Sequence, residues 1–354
     1  MKLTRRISLL LVAVLMLGMI LSACGTSKPV ETTAATTEAT TEATTEATTE
    51  ATTEAAKTAE KEEEAIIRIG SGPSSGANYV TCSGFANLIT KDHPSYLCSA
   101  EISTGSQENI RMMTDGACEF GIAMSDVEQS AFEGTREFEG NPQAITHVMG
   151  GYTTTMHIFV AKDSDVTSLG DMKGKKLYVG SGAMSQYYLP IILEAYGLTV
   201  EDVNVTPTSL QAICDAVNDG NADMGIHITP YTSSPIADLA ATKGIRFISI
   251  GEEEIKSITE KHTYFYRSTI PAGTYTGVDE EAVVLGTRNN LIARKDVDET
   301  VVYNVVKTIM EHEADLPDVH PQAKFFNKDN AVEGALIDIH PGALKYYKEI
   351  GLVQ

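Results

Sequence analysis

The sequence has no tryptophan, a shortage of basic residues, few cysteines and no long apolar run, and each shortage removes a class of protein. Across 354 residues, 27 Lys and Arg stand against 48 Asp and Glu, a formal net charge of −21. Binding nucleic acid requires a surplus of cations to replace the counterions of the phosphate backbone, so no nucleic-acid partner is expected. The apolar run from Ile7 to Leu21 falls short of the ~20 residues that cross a bilayer, which excludes a multi-span membrane protein. No two cysteines have CxxC spacing, and the eight histidines show no HExxH or other paired pattern. Neither a zinc centre nor a thioredoxin-like site is indicated, and no metal or cofactor is expected. Cys82 and Cys98 are the one pair to consider as a disulfide; the alternative is that Cys82, Cys98, Cys118 and Cys214 are small buried residues.

What is present begins with a leader. Lys2, Arg5 and Arg6 precede the apolar run, which ends in Leu21-Ser22-Ala23-Cys24-Gly25. Residues 1–23 read as a signal peptide. The ending resembles the lipobox of bacterial lipoproteins, which implies cleavage before Cys24 and diacylation of its thiol. Two acyl chains suffice for stable anchoring, so the expected location is the extracytoplasmic face of the cell membrane. Residues 24–65 then form a tether: 36–55 are five copies of Thr-Thr-Glu-Ala, followed by a charged run from Lys57 to Glu64. Such a segment has too little apolar surface to offset its ordering entropy. As a flexible coil it reaches about 40 Å.

From Ile66 the chain alternates strand and helix. Ile66–Gly70, Cys98–Ser103 and Phe120–Met124 read as strands, with helices from Asn78 to Lys91 and from Gln107 to Thr114. Ile145–Val160 reads as two strands joined near Gly151. After Ala161 a second series follows: strands at Leu177–Gly180, Val203–Pro207, Met224–Ile228 and Phe247–Ile250, helices at Met184–Tyr196, Leu210–Asn218 and Ile236–Thr242. Val283–Ala293 reads as a kinked strand and Glu299–Glu311 as an amphipathic helix. Alternation of this kind predicts an α/β protein with helix-covered, mostly parallel sheets. Its length exceeds a single core, so two lobes are expected: 66–162 as the first part of lobe 1, 163–255 as lobe 2, and 256–354 as a return segment completing lobe 1.

One local device occurs three times. A strand runs into a Gly/Ser-rich loop and then a helix at Ser71–Tyr79, Ser103–Asn109 and Gly180–Gln186. Glycine lets the backbone approach a ligand, Ser and Thr add hydroxyls, and the first N–H groups of a helix point outward unpaired. In α/β sheets these loops gather at the carboxyl edge of the strands. Three of them across a lobe division point to a cleft for an anion or carboxylate. Ser125, before a third helix, is either cleft-facing or a cap. Tyr152 and Tyr187 are candidates for the rim, and His227 for a ligand contact near a strand end.

At these same places the folded part, 66–354, resembles the TAXI receptors, the solute-binding proteins of one branch of the TRAP transporters. The segments that carry the likeness are Ile69-Gly70-Ser71-Gly72-Pro73-Ser74-Ser75-Gly76 with Tyr79, Ser103 to Arg111, Met172 to Ser181, Thr269-Ile270-Pro271-Ala272-Gly273-Thr274-Tyr275, and His340-Pro341-Gly342-Ala343 with Tyr346 and Tyr347. The resemblance implies the two-lobed type II periplasmic-binding-protein fold with a ligand cleft between the lobes. It also implies a small carboxylate ligand, glutamate-like or a 2-oxo dicarboxylate, and a TRAP-type permease as partner; a monomer is expected. By matching position, Ser74, Ser75, Gly76, Tyr79, Thr104, Gly105, Ser106 and Asn109 would face the ligand from one lobe, and Ser181, Gly182 and Ser185 from the other. Asn78, also a candidate contact, replaces an aromatic of the family's usual Gly-Gly-Thr-Tyr-Tyr run. The segment Gly150–Thr155 lacks the family's Tyr-Pro-Glu.

Two other readings compete. Gly72-Pro73-Ser74-Ser75-Gly76 matches the GxSxG of a nucleophile elbow, with His340 as the partner Ser74 would need for hydrolysis. A lipoprotein that presents its ligand to a sensor or an ABC permease is the other.

Overall fold

The computed structural model describes residues 63–74 and 76–354. The leader, Cys24, nearly all of the tether and Ser75 lie outside the described residues. Ten strands form one curled sheet: β1 (Ala65–Gly72), β2 (Tyr96–Ile102), β3 (Phe120–Met124), β4 (Ile145–Ala161), β5 (Lys176–Gly180), β6 (Asn204–Thr208), β7 (Met224–Thr229), β8 (Ile245–Phe247), β9 (Tyr266–Ile270) and β10 (Ala282–Arg294). The helices are α1 (Ala77–Asp92), α2 (Ser106–Thr114), α3 (Ser125–Glu133), α4 (Leu189–Ala195), α5 (Leu210–Asn218), α6 (Ser234–Thr242), α7 (Glu252–Lys261), α8 (Glu299–Glu311), α9 (Leu316–Val319) and α10 (Pro341–Glu349).

The sheet has two halves built alike. In the first, β2, β1 and β3 run parallel, β10 follows antiparallel and β4 lies beyond it. In the second, β6, β5 and β7 run parallel, β4 follows antiparallel and β8 lies beyond it. Each half therefore takes its fourth strand from one of two long strands that traverse both. β4 is one continuous strand of 17 residues rather than two. Its glycines do not break it. A side chain on Gly150 would collide with the carbonyls of Asn330 and Glu333, and one on Gly151 with Phe326, so they admit a crossing segment. β10 carries the expected irregularity as a register shift between Arg288 and Asn290.

Both faces of the sheet are covered, so β4 is buried almost throughout, as a central strand should be. On one face of the first half α1, α8 and α10 enclose Phe85, Phe120, Val305 and Tyr347; on the other α2 and α3 cover Ile110, Met113 and Ile292. In the second half Leu177, Ile192 and Phe265 pack on one face and Phe159, Ile213 and Ile236 on the other. Ile255 and Ile258 of α7 and Leu285 of β10 belong to the second half's core, and β9 pairs with β10 at 282–286. The chain thus returns to the first half within β10, near Arg288, and not at residue 256. Cys82, Cys98, Cys118 and Cys214 are free thiols, three of them buried and Cys98 half-buried, so the alternative to a Cys82–Cys98 disulfide holds. Burial pushes the Cys82 thiol far up and the Cys98 thiol up to about 12.

Candidate functional site

The first two Gly/Ser loops are tied together beneath their tips by one side chain. Asn109, in α2, is fully buried. Its amide nitrogen donates to the carbonyls of Ser71 (2.9 Å) and Ile122 (2.7 Å), and its oxygen accepts from the Ser103 hydroxyl at 2.5 Å. The ends of β1, β2 and β3 are pinned to one another, and no polar atom of Asn109 is left for a ligand. Thr104 is similarly engaged, its hydroxyl and N–H both donating to Glu108. Ser106 accepts from the Met124 N–H at 3.1 Å, fixing α2 against the end of β3. Gly105, between them, takes a φ of 126° that side chains rarely adopt.

The tip of the first loop is open. Ser74 is exposed, and Gly76, Asn78 and Tyr79 are half-buried. Gly76 precedes α1 with no side-chain cap and no acid in the first turn, which leaves the N-terminal N–H groups and the positive end of the helix dipole available to an anion. Asn78 Oδ1 accepts from the Tyr152 hydroxyl at 2.6 Å, so the two places where the sequence departs from the TAXI pattern touch each other. Burial pushes the Tyr152 hydroxyl far up, and it remains a neutral donor.

In the second half Ser181 and Gly182 are exposed and Gly182 has a φ of 71°. The Ser185 hydroxyl donates to the Gly182 carbonyl at 3.1 Å. The predicted helix at 184–196 begins as a π-helical turn, Met184–Tyr188, before α4. His227 lies beneath Gly180, whose missing side chain makes room for the imidazole. Its Nδ1 is buried without a partner among the described residues, and burial lowers its pKa. Beside it on β4, His157 donates from Nδ1 to the Thr155 carbonyl (2.8 Å) and accepts at Nε2 from the Tyr275 hydroxyl (2.9 Å), which in turn accepts from the Ser233 N–H.

Sequence reasoning missed a polar cluster that joins the halves. Arg136 Nη1 donates to Asp126 Oδ2 at 2.9 Å and Nη2 to the Tyr264 hydroxyl. The guanidinium stacks on Tyr187 and Tyr264, 4.7 and 4.9 Å from the ring centres. Asp126 and the neighbouring Tyr188 are buried, and burial raises both their pKa values. Tyr187 thus belongs to this contact. Nor is Ser125 a cap. Its hydroxyl donates to the Arg288 carbonyl (3.2 Å) and accepts from the Arg288 N–H (3.3 Å), coupling the start of α3 to β10. Ser125 also lines a cavity of about 450 Å3 with Tyr264, Tyr266 and Arg288. The signal for it was legible as Thr287-Arg288-Asn289-Asn290, a polar run inside an otherwise apolar strand.

His340, the base that the hydrolase reading nominated, is buried at the start of α10. His340 accepts the Gly342 N–H at Nδ1 (3.2 Å) as the cap of α10, and its Nε2 has no partner among the described residues.

Several solved structures share this run of chain at low identity. The periplasmic aliphatic sulphonate binding protein of Escherichia coli is 14% identical, with a TM-score of 0.49 over 81% of this chain and 84% of that one. A putative sulfonate-binding protein of Methylobacillus flagellatus is also 14% identical, with a TM-score of 0.45 over 83% and 89%. A putative L-cystine ABC transporter protein of Listeria monocytogenes is 12% identical, with a TM-score of 0.41 over 75% and 98%. At these values nothing of those proteins' ligands transfers to this chain. The family comparison reaches further, because one model, described as NMT1-like, matches residues 69–351 and so takes in both halves of the sheet and both strands that link them. The chain belongs to the NMT1-like family, which is of the periplasmic binding-protein type.

Proposed function

We propose that the protein is a lipid-anchored extracytoplasmic receptor that closes on a small organic anion and delivers it to a TRAP-type membrane permease. The observation that carries this reading is the doubled architecture. Two halves of identical strand order, joined by β4 and β10, each present exposed Gly/Ser loop residues, Ser74 in one and Ser181 and Gly182 in the other, ahead of a helical turn. A ligand that touches both halves stabilises their closed arrangement by its differential affinity, whereas one that touches a single half does not. The anchor and the permease partner rest on the lipobox at Cys24 and on the likeness to the TAXI receptors.

The test is thermal unfolding of the purified protein, stripped of ligand, against amino acids, 2-oxo acids, dicarboxylates, sulfonates, sugars and phosphate. A ligand at a hundred times its Kd adds about 2.7 kcal/mol, a shift of a few degrees at this size. Ser181→Ala is expected to reduce the shift given by the best solute while leaving the unliganded Tm unchanged. Shifts with sugars alone would remove the anion, and no shift with any solute would remove the receptor.

A further inference from the structure

The cavity at the junction of β3, β9 and β10 contains a cation held by an exposed acid of its own chain. Among the described residues that line it, Arg288 is the one cation and Glu333 the one anion. Arg288 is 13% exposed; Nη1 donates to Asn330 Oδ1 at 3.0 Å and to the Gly151 carbonyl at 3.4 Å, both neutral acceptors. Its guanidinium lies 5.3 Å from the centre of the Tyr266 ring, whose hydroxyl is fixed by donation to Thr153 at 2.5 Å. The only charged partner of the guanidinium among the described residues is Glu333, paired through Nη2 and 58% exposed. Glu333 sits on a segment without regular structure, and Gly334 after it has a φ of 73° and passes against the Arg288 stem, where a side chain would meet Cδ at 2.9 Å.

A mostly buried guanidinium requires an anion, and its planar fork suits a carboxylate or a sulfonate equally. A tethered, half-solvated acid meets that requirement weakly. It can swing into water and yield the fork to an incoming anion at little cost to itself. The remaining walls, Tyr264, Tyr266 and Leu336, with the Ser125 hydroxyl at one side, offer aromatic and aliphatic surface and no second cation. A second negative charge would be desolvated there without compensation.

We propose that this cavity takes a small organic monoanion with an aromatic or apolar body, its carboxylate or sulfonate on Arg288, and that Glu333 is an internal competitor for that position. This rests on the receptor reading and narrows its ligand, away from dicarboxylates. The experiment is calorimetric titration of the full chain with benzoate, benzenesulfonate and glutarate, repeated with Glu333→Gln and Arg288→Lys. Benzoate or benzenesulfonate is expected to bind at least tenfold more tightly than glutarate, the two probes separating carboxylate from sulfonate. Glu333→Gln should tighten the preferred monoanion about tenfold, and Arg288→Lys, which keeps the charge but loses the fork, should weaken it about tenfold. Should the Lys variant not fold, Glu333→Gln decides alone. Glutarate bound most tightly, or a monoanion whose affinity ignores Glu333→Gln, overturns the Arg288 assignment. If that binding is still weakened by Ser181→Ala, the receptor stands without it. Binding of none of the three probes, nor of any solute in the thermal panel, overturns both.

Discussion

Replacing Asn109 with alanine tests how the ends of β1, β2 and β3 are held. The amide satisfies two buried carbonyls, of Ser71 and Ile122, and one buried hydroxyl, of Ser103. Truncation removes three hydrogen bonds and leaves those groups facing a small void. A buried polar group left unsatisfied costs about 1–3 kcal/mol, and Ser103 and Ser71 lie close enough to loop tips to recover part of that from solvent. An overall loss of about 3–4 kcal/mol is therefore expected for Asn109→Ala, measured by urea unfolding monitored by tyrosine fluorescence and circular dichroism together. Ser103→Ala, which removes one partner of three, should cost about 1 kcal/mol. In the double variant the loss should fall below the sum of the two by about 0.5 kcal/mol or more, since both delete the same bond. A loss under about 1 kcal/mol for Asn109→Ala would refute the claim that this amide pins three strands. So would strict additivity in the double variant.

Other substitutions probe other links. Burial lowers the His157 pKa to about 4 from 6.5. The unfolded chain therefore binds this proton first as pH falls, and the stabilisation, complete above about pH 6.5, is lost progressively toward pH 4, by about 3 kcal/mol in all. His157→Gln should be less stable at pH 7 yet flatter between pH 7 and 4; an unchanged slope would show that another group sets it. Arg136→Ala leaves Asp126 buried without its cation and should cost about 3 kcal/mol, most of it recovered in Asp126→Asn combined with Arg136→Met. A loss for the single variant near zero in urea unfolding would mean the cluster is relaxed by water. In α10, a side chain on Gly342 would strike the backbone of α8 at Glu299 and Tyr303, so Gly342→Ala should lower stability by about 1–3 kcal/mol, and an unchanged Tm would refute that contact.

Much of the fold was legible because its signals are local. Phe120–Met124, Leu210–Asn218 and Glu299–Glu311 fall where the periodicity puts them, to the residue. Asp298 and Ser209, which cap α8 and α5, are the residue types expected at such starts. The errors arise where tertiary context outweighs local pattern. Glycines at 150 and 151 read as a strand break, but they answer to the segment around Phe326 and Asn330, nearly two hundred residues away. The site shows the same division. Gly/Ser loops announce themselves, and the structure keeps Ser74, Gly76, Ser181 and Gly182 at accessible tips. Which member of a loop turns inward is decided by partners on other strands: Asn109 reads as a contact in its motif and proves to be the fastening beneath it. Arg136 could be found only once Tyr187 and Tyr264 had been brought beside it, whereas Arg288 stood out as part of a polar run in an apolar strand, its partners Tyr266 and Glu333 remaining hidden.

The interleaving of β10 between β3 and β4 also governs the order in which the chain can fold. β3 and β4 are complete by residue 161, yet the strand that belongs between them spans 282–294. While synthesis is in progress, the first half has a slot in its sheet and nothing to fill it. Loop closure over more than a hundred residues must come before that half gains its central pairing, which makes the closing step slow relative to helix formation. The core of the first half is therefore finished only when the last fifth of the chain arrives. It follows that neither half can be expressed as an independent domain, and that a truncation before Ala282 disables the residues furthest from the cut.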